Sequence, residues 1–493
     1  MAAQNEAPRF DLWLDREPRP ASSGERFERH SPFDGTLAGV YADGGEEDAA
    51  RAVDAARREF DTGTWPTSPA RRRFEVLSRA AALLTDNADA LAERMVLESG
   101  KPVTLALGEV AAAARTFDYY AGLALSVEGS AISDRNPGAL GLVLREPVGV
   151  AALITAWNFP LLGVVCKLAP ALAAGCTVVA KPSHLCPGPA VLLARYLREA
   201  GLPAGVFNVV TSQLERGAVV GQYLAASHKV DKVAFTGSTA SGRAVMRAAA
   251  GNTKRVSLEL GGKSANIVFP DAPLEDAART AITAFTFNSG QQCSAGSRLL
   301  LHRDIHDEFL AALTEHASGQ VLGDPREATT TMGPLVSKQQ HDRVLGYIDV
   351  GRGEAKLVIG GDPPTDPVLA NGHFVAPTVF DQVDNSSRLA QDEIFGPVLS
   401  VITFDTEQEA IALANDNAHG LAGGVWTGSL DTAIRVAKGV RTGKMFVNSY
   451  NTAGIDDMPH GGYKDSGTGR EFGQIGLEEF QELKTVQILL HQR

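Results

Sequence analysis

Cysteine is scarce in this sequence, with four residues in a chain of 493. Four thiols cannot form the disulfide framework of small secreted domains, and none of their spacings is the CxxC pattern typical of zinc sites. We therefore expect neither structural disulfides nor a bound metal. Such thiol usage favours a reducing compartment, the cytoplasm.

Positive charge is also in deficit, because 46 Lys and Arg residues face 58 Asp and Glu residues, a net charge of -12. No basic tail could neutralise a row of phosphates, which disfavours nucleic-acid binding. The first ten residues have neither the positive region nor the apolar core of a signal peptide, so secretion is not expected. The long uncharged stretch at 147–166 is interrupted by Asn158 and Pro160, and we interpret it as strand, loop and helix start rather than a membrane span.

The rest of the composition is typical of a globular protein, with 44% hydrophobic and 21% charged residues. At roughly 150 residues per domain, the length predicts about three folded units. Apolar residues recur at steps of three to four from Glu46 to about Ser126, beginning with Ala49, Val53 and Ala56. This spacing predicts a mainly helical region.

Strand and helix signals then alternate from 148 to 269. The predicted strands lie at 148–154, 177–180, 206–210, 232–236 and 256–260, with helices between them. Repeated βα units predict a parallel sheet with helices on both faces, a doubly wound plan that often binds nucleotides at the carboxyl ends of its strands.

A second set of strand signals follows residue 272, at 299–301, 356–359, 399–404 and 445–447, and predicts a second α/β domain. Two short apolar pieces, 142–144 and 486–490, predict detached strands outside both domains. Detached strands often bury their apolar side against another subunit, so we expect a homo-oligomer.

Cys293 differs from the other cysteines because polar and flexible residues surround it in the segment NSGQQCS at 288–294. A thiolate is a strong nucleophile once its pKa is lowered, and a loop rich in backbone N–H donors can lower it. The alternative is an inert buried thiol, an interpretation that is stronger still for Cys166, Cys176 and Cys186.

Glu259 lies in the segment LELGGKS at 258–264, a carboxylate within an apolar strand that ends in two glycines. Burial there would raise its pKa and suit a general base. The alternative is that strand alternation turns Ser257 and Glu259 towards water.

Three further candidates follow predicted strands. The segment GSTASGR at 237–243 opens a helix and suits an anion, but it is not a Walker A loop because Arg243 and Ala244 stand where that motif needs Lys and Ser or Thr. Asn158 offers an amide to an oxyanion, and Lys181 offers an ammonium to a ribose or phosphate. Taken singly, Asn158 and Lys181 are equally compatible with turn residues.

Taken together and in this order, these segments resemble the aldehyde dehydrogenase superfamily over nearly the whole chain. The motifs that carry the resemblance are specific as a set: Trp157-Asn158-Phe159-Pro160, Leu258-Glu259-Leu260-Gly261-Gly262-Lys263-Ser264, Gly290-Gln291 before Cys293, Glu393-Ile394-Phe395-Gly396-Pro397 and Gly461-Gly462-Tyr463-Lys464.

The resemblance implies two doubly wound, Rossmann-like α/β domains and a small β oligomerisation arm, in a homodimer or homotetramer. The expected cofactor-binding domain comprises 1–128 and 148–260, the catalytic domain 261–465, and the arm 129–147 and 466–493.

The resemblance also implies a mechanism in which Cys293 attacks the aldehyde carbonyl. The Asn158 amide and the backbone N–H of Cys293 would stabilise the oxyanion. After hydride leaves to a nicotinamide, Glu259 would activate the water that hydrolyses the thioester. Lys167 and Glu471 match a proton relay. Members that pass the acyl group to coenzyme A lack this glutamate, so hydrolysis to a carboxylic acid is expected.

The cofactor implied is NAD. Glu393 would bind the nicotinamide ribose, Phe395 the ring, Lys181 the adenosine ribose and Ser238 the pyrophosphate. The full set of implied cofactor residues is Trp157, Lys181, Ser183, His184, Gly237, Ser238, Glu393 and Phe395.

Two departures from the family pattern shape the expected specificity. His184 stands where NAD-preferring members typically carry Glu, and an imidazole does not repel a 2′-phosphate, so we expect NADP to be accepted alongside NAD. His460 replaces a common phenylalanine, and Cys166 falls where some relatives carry tryptophan. With Asp456 and Asp457 nearby, we expect a polar or amine-bearing aldehyde, unless both aspartates are simply solvated loop residues.

Two other classes of protein are alternatives: a non-catalytic scaffold that kept the fold, and a P-loop-like phosphotransferase built around Gly237. The presence of Cys293, Glu259 and Asn158 argues against the scaffold. Arg243 and Ala244 argue against the phosphotransferase.

Overall fold

The computed structural model describes residues 7–451 and 457–490. The N-terminal region contains short strands that the sequence patterns did not predict, followed by four helices. They are β1 (Arg9–Phe10), β2 (Leu12–Leu14), β3 (Glu17–Arg19), β4 (Arg26–His30), β5 (Leu37–Ala42), α1 (Glu46–Thr62), α2 (Ala70–Asp86), α3 (Ala88–Ser99) and α4 (Val103–Ala124). These helices confirm the mainly helical region that the three- to four-residue spacing predicts.

Two strands separate this region from the first alternating unit, whose elements agree with the predicted strands to within two residues at each end. They are β6 (Ser130–Ile132), β7 (Ala139–Pro147), β8 (Val150–Ile154), α5 (Leu162–Ala174), β9 (Thr177–Lys181), α6 (Gly188–Ala200), β10 (Phe207–Val209), α7 (Leu214–Ala226), β11 (Lys232–Thr236), α8 (Thr239–Ala249) and β12 (Arg255–Glu259).

The second alternating unit contains more strands than the sequence patterns predicted. Its elements are β13 (Ala265–Val268), α9 (Leu274–Thr286), β14 (Arg298–His302), α10 (His306–Ser318), α11 (Lys338–Glu354), β15 (Lys356–Ile359), β16 (Thr378–Asp381), α12 (Arg388–Gln391), β17 (Val398–Phe404), α13 (Glu407–Asn415), β18 (His419–Gly420), β19 (Ala422–Trp426), α14 (Leu430–Gly439) and β20 (Lys444–Val447). The C-terminal elements are β21 (Tyr463–Lys464), β22 (Gly467–Thr468), α15 (Gly473–Glu478) and β23 (Gln481–Leu489).

Two large sheets organise these elements. The eight-stranded sheet has the order β22-β12-β11-β8-β9-β10-β2-β3, with its five central strands parallel. The seven-stranded sheet has the order β15-β16-β17-β14-β13-β19-β20 and is parallel apart from the β15–β16 pair. Helices cover both sheets, which confirms the predicted α/β class and its two doubly wound units.

The cores lie between sheets and helices, as the buried apolar runs of the parallel strands require. In β8, for example, Val150 to Leu153 have no exposed surface. Among the described residues no helix is long and apolar enough to cross a bilayer. The uncharged stretch at 147–166 forms the end of β7, β8, a loop and the start of α5.

The two predicted detached strands pair with each other in the same chain. β23 lies antiparallel to β7 over nine residue pairs, from Gln481 with Pro147 to Leu489 with Ala139, and β6 completes a three-stranded sheet. Leu483 and Leu489 on the edge strand β23 are exposed. The C-terminal segment also contributes β22, which pairs with β12 at the edge of the eight-stranded sheet. The domain boundaries expected from the sequence remain a prediction.

Candidate active site

A cavity of about 450 Å³ opens between loops of the two large sheets. Loops that follow β8 and β11 and the end of β12 form one wall, and loops that precede β14 and β17 form another. The residues that line it are Ala156, Trp157, Asn158, Leu185, Thr236, Gly237, Ser238, Glu259, Leu260, Gly261, Cys293, Val336, Ser337, Gln339, Gln340, Arg343, Glu393 and Phe395.

Cys293 reaches this cavity from the loop between α9 and β14. Asn288 and Ser289 adopt left-handed backbone conformations, with φ of 51° and 57°, and turn the chain sharply before the cysteine. The Tyr450 hydroxyl donates to the Ser294 carbonyl over 2.9 Å and holds the segment after it. The structure therefore presents the thiol on a firmly held loop.

The ionisation of Cys293 is opposite to the expectation that the loop lowers its pKa. Burial of the sulfur and the nearby carboxylates of Glu393 and Glu259 raise the pKa to about 12, and the Ser294 N–H offsets only part of this. The polar sequence around the cysteine had suggested more donors than the fold directs at the sulfur. In this arrangement the thiol is protonated at neutral pH.

Asn158 lies in the loop between β8 and α5 and is buried. Its Nδ2 donates to the Gln291 carbonyl over 3.1 Å, which ties it to the cysteine loop. A carboxamide carries two N–H donors, so this bond leaves one for the cavity.

Glu259 is the last residue of β12, and only 6% of its surface is exposed. Ser257 is buried too, so the alternative that both face water is wrong: the sheet is covered on both faces. Burial and the nearby Glu471 raise the pKa of Glu259 well above its usual range. Among the described residues, its Oε2 has no hydrogen-bond partner, and it lies 3.8 Å from Nε2 of His460.

A buried charged cluster lies behind Glu259. Lys167 forms an ion pair with Glu471 and donates to Oγ1 of Thr236 over 2.6 Å. The Cys166 thiol donates to Oε2 of Glu471 over 3.2 Å, and burial together with Glu471 raises its pKa. Because Thr236 lines the cavity, this cluster reaches the cavity wall.

The cavity wall next to β11 and β12 has the features of a dinucleotide site. Oγ of Ser238 caps α8 by accepting the Ser241 N–H over 3.2 Å, and the helix N-terminus opens on the cavity, where it favours an anion. A Cβ on Gly261 would come within 2.2 Å of Glu393 Oε2, so only glycine allows this approach. The Gly262 N–H donates to Glu393 Oε1 over 3.0 Å.

Two aromatic rings complete this wall. Phe395 has a φ of 62°, a strained conformation for a residue with a side chain, and its ring meets Trp157 edge to face at 5.3 Å between centroids. Burial raises the pKa of Glu393 to about 7, so that its charge changes near neutral pH.

The model of the aldehyde dehydrogenase family matches residues 19–486 of this sequence. The chain belongs to the aldehyde dehydrogenase family. Betaine aldehyde dehydrogenase of Bacillus subtilis (strain 168) is 44% identical over 457 residues, 92% of each chain.

Solved structures of this family match along almost the whole chain. The gamma-glutamyl-gamma-aminobutyraldehyde dehydrogenase of Burkholderia cenocepacia J2315 is 45% identical, with a TM-score of 0.95 over 98% of this chain and 97% of that one. The indole-3-acetaldehyde dehydrogenase AldA of P. syringae, in complex with NAD+ and IAA, is 43% identical, with a TM-score of 0.95 over 99% and 98%.

The structure brings eight of the thirteen predicted catalytic and cofactor-binding residues to one cavity: Trp157, Asn158, Gly237, Ser238, Glu259, Cys293, Glu393 and Phe395. Lys181, Ser183 and His184 lie outside its lining, at and after the end of β9. Burial lowers the pKa of Lys181 to about 8. Burial, with the positive charge of Lys181, lowers the pKa of His184 to about 4.

The predicted substrate-pocket residues also lie outside this lining. Cys166 and His460 belong to the cluster behind Glu259, and Asp457 is an exposed loop residue. Asp456 lies outside the described residues. Burial lowers the pKa of His460 to about 4, so its imidazole is neutral at pH 7.

Sequence reasoning missed five polar cavity residues, Thr236, Ser337, Gln339, Gln340 and Arg343. Thr236 ends β11, and Gln340 and Arg343 lie in α11, which carried no motif. Gln340 Nε2 donates to the Phe395 carbonyl over 2.9 Å, and Arg343 Nη2 donates to the Glu393 carbonyl over 2.7 Å. Only the contact of α11 with the loop before β17 reveals Gln340 and Arg343.

Among residues 7–451 and 457–490, no group of three or more His, Cys, Asp or Glu side chains is arranged to hold a metal.

Proposed function

We propose that this enzyme oxidises an aldehyde to a carboxylic acid through a covalent thioester on Cys293, with a nicotinamide dinucleotide as acceptor. One observation carries the proposal: Cys293, Asn158 and Glu259 line the same cavity, so a nucleophile, an amide donor and a buried carboxylate face one space. This combination suits attack on a carbonyl followed by hydrolysis.

The residues present fit NAD. Glu393 offers a carboxylate to ribose hydroxyls, the N-terminus of α8 at Gly237 and Ser238 offers N–H groups to a diphosphate, and Phe395 with Trp157 offers an apolar wall to a ring. A relative of 43% identity is known in complex with NAD+. When bound, the oxidised nicotinamide supplies a hydride acceptor and a positive charge that favours thiolate formation.

In the acylation half, the Cys293 sulfur forms a bond to the carbonyl carbon while the carbonyl oxygen becomes negative. The free N–H of the Asn158 amide and the backbone N–H of Cys293 would donate to that oxygen as charge develops, which stabilises the transition state more than the substrate. The thiol first has to lose its proton to solvent, and the positive charge supplied by the bound cofactor favours this ionisation.

In the deacylation half, Glu259 would take a proton from water, whose oxygen bonds to the thioester carbon. The C–S bond then breaks, which releases the acid and the Cys293 thiolate. A buried carboxyl with a raised pKa is a stronger base when ionised. Lys167 and Glu471, paired behind it, would carry the proton away.

For the cofactor, we propose that NADP is used alongside NAD. His184 follows β9 three residues after Lys181, and with its pKa lowered to about 4 it is uncharged near pH 7. A neutral side chain does not repel the 2′-phosphate as a carboxylate would.

For the substrate, we propose a polar or amine-bearing aldehyde. The relatives of similar identity act on different aldehydes by name, so similarity does not select one. Asp457 supplies exposed negative charge. His460 and Cys166, which lie behind Glu259 and outside the cavity lining, stand where relatives often carry aromatic residues. A substrate that carries a positive charge would benefit from this balance.

We further propose that the enzyme is a cytoplasmic homodimer or homotetramer. The exposed leucines of β23 lie on a sheet edge that pairs with no other described strand, and such an edge suits burial against a second copy. Chromatography with light scattering measures the assembly.

A single assay tests the reaction. Reduced nicotinamide is followed by absorbance with betaine aldehyde, aminobutyraldehyde, short aliphatic and aromatic aldehydes, and ATP hydrolysis is measured in parallel. We expect one acid per reduced cofactor, no dependence on coenzyme A, and the highest kcat/KM for the amine-bearing compounds. Absence of turnover with every aldehyde would contradict the reaction. Higher kcat/KM for aliphatic or aromatic aldehydes would contradict only the substrate class.

A further inference from the structure

A second buried ion pair, between Lys101 and Glu109, lies beside the Asn158 loop. Both side chains are only 2% exposed, and neither lines the cavity. Lys101 precedes α4, and Glu109 lies within it. Two charges enclosed in this way are costly unless their remaining donors and acceptors are bonded, so the partners of the pair indicate its role.

Those partners are backbone groups of the loop that carries Asn158. Lys101 Nζ donates to the carbonyl of Asn158 over 2.9 Å, and its ammonium lies 4.5 Å from the centroid of the Phe159 ring. Glu109 Oε1 accepts the N–H groups of Leu161 and Leu162 over 2.9 and 3.0 Å. The pair therefore holds the loop by hydrogen bonds at Asn158 and at the point where the loop enters α5.

Further hydrogen bonds connect the Asn158 loop to the cysteine loop. Asn288 Nδ2 donates to the same Asn158 carbonyl over 3.2 Å and also reaches the Gln291 carbonyl, which accepts the Asn158 amide. Lys101 and Asn288 therefore fix the backbone of Asn158 from two sides, and the Gln291 carbonyl fixes its side chain.

We propose that Lys101 and Glu109 are positioning residues for the proposed oxyanion site, holding the Asn158 amide at a fixed distance from Cys293. The inference rests on the oxyanion role of Asn158 proposed above. Neither charged residue touches the cavity, so the pair acts on catalysis only through the loop. A displacement of about 1 Å in such a donor costs up to about a hundredfold in rate.

The molecule contains a matched control. Lys232 is fully buried, pairs with Glu479 over 2.8 Å, and places its ammonium 5.1 Å from the centroid of the Phe480 ring. It repeats the chemistry of Lys101, Glu109 and Phe159, but it lies at the opposite end of β11 from the cavity residue Thr236.

The experiment compares Lys101→Met/Glu109→Gln with Lys232→Met/Glu479→Gln, each in the native background and with Asn158→Ala. Both doubles replace an ion pair with neutral side chains of similar shape, and Glu109→Gln keeps a side-chain oxygen for the Leu161 and Leu162 N–H groups. Three quantities are measured: the rate constant for formation of reduced nicotinamide in the first turnover, the KM for the cofactor, and the midpoint temperature of thermal unfolding. Glu109→Gln alone carries the same test if the double yields little folded protein.

We expect the Lys101/Glu109 double to slow the first turnover by about tenfold to a hundredfold with the cofactor KM unchanged, and to have almost no effect in the Asn158→Ala background. The Lys232/Glu479 double should lower the thermal midpoint without slowing the first turnover of the folded enzyme. Equal slowing in both Asn158 backgrounds, or no slowing, would overturn the positioning role. A first turnover that Asn158→Ala leaves unchanged would instead overturn the oxyanion role, and the positioning role with it.

Discussion

The two large sheets supply the cavity from opposite ends of their strands. In the eight-stranded sheet, Asn158 follows β8, Gly237 follows β11, and Glu259 ends β12. In the seven-stranded sheet, Cys293 and Glu393 precede β14 and β17. The amino ends of one sheet therefore face the carboxyl ends of the other across the cavity.

This difference limits a familiar rule. Ligands in doubly wound folds bind outside the carboxyl ends of parallel strands, and that rule locates only the wall formed by the first sheet. The two walls also differ in chemistry. The first ends in a carboxylate backed by Lys167 and Glu471, whereas the second presents a thiol on a loop whose backbone carbonyls accept hydrogen bonds from side chains. We expect bond formation to depend on the second sheet, and proton transfer in hydrolysis on the first.

The largest effect should come from the seven-stranded sheet. Cys293→Ala removes the nucleophile, and we expect kcat to fall by at least about a thousandfold while cofactor affinity, measured by fluorescence titration, is retained. Cys176→Ala is the control, since that thiol is buried against the Phe480 carbonyl and lies outside the cavity lining. Residual turnover above a tenth of the native rate in Cys293→Ala would show that the second sheet does not supply the nucleophile.

The corresponding change in the eight-stranded sheet should block the other half of the reaction. With Glu259→Gln, one equivalent of reduced nicotinamide should form rapidly, and steady turnover should then fall by about a hundredfold or more because the thioester persists. Mass spectrometry of the quenched enzyme should detect the acyl group on Cys293. A first turnover as slow as the steady rate, with no acyl adduct, would break the division of labour between the sheets.

The sequence predicts the first wall better than the second for a physical reason. Alternating strands and helices indicate the eight-stranded sheet, and its functional residues stand immediately at strand ends, as Asn158 and Gly237 do. Cys293 and Glu393 were identified by their motifs, since a loop before a strand carries no periodicity. The distant residues Lys101 and Arg343 had no signal at all, because their contacts join segments far apart in sequence.

The pKa of Cys293 shows a second limit of sequence reasoning. A polar segment suggested stabilisation of the thiolate, yet burial and two carboxylates have the opposite effect. Net electrostatics at a site depend on which groups the fold brings within a few ångströms, and Glu259 and Glu393 arrive from different parts of the chain. The buried state of Glu259, by contrast, follows from its place in a covered strand.

A smaller effect should appear at the nicotinamide end of the proposed cofactor site. Glu393 has a pKa of about 7, raised by burial, and its ionised form is the better acceptor for ribose hydroxyls. Protonation as the pH falls from 8 to 6 should weaken binding, so KM for NAD should rise by up to about tenfold. Glu393→Gln should remove that slope and leave KM uniformly high. If the native KM for NAD does not change between pH 8 and pH 6, Glu393 does not bind the ribose.

The smallest effect should come from the adenosine end, on the first sheet, and should be confined to one cofactor. His184→Glu places a carboxylate where the 2′-phosphate of NADP is proposed to bind, and at about 5 Å two like charges repel by about 1 to 3 kcal/mol between the dielectric of water and that of a protein surface. We expect kcat/KM with NADP to fall about tenfold or more, while kcat/KM with NAD changes less than about twofold. His184→Gln keeps the side chain neutral, as the native imidazole is above pH 6 given its pKa of about 4, and should retain the native ratio. If the glutamate leaves NADP use unchanged, the loop after β9 does not contact the adenosine ribose, and the contribution of the first sheet to cofactor binding is confined to the cavity around Gly237 and Ser238.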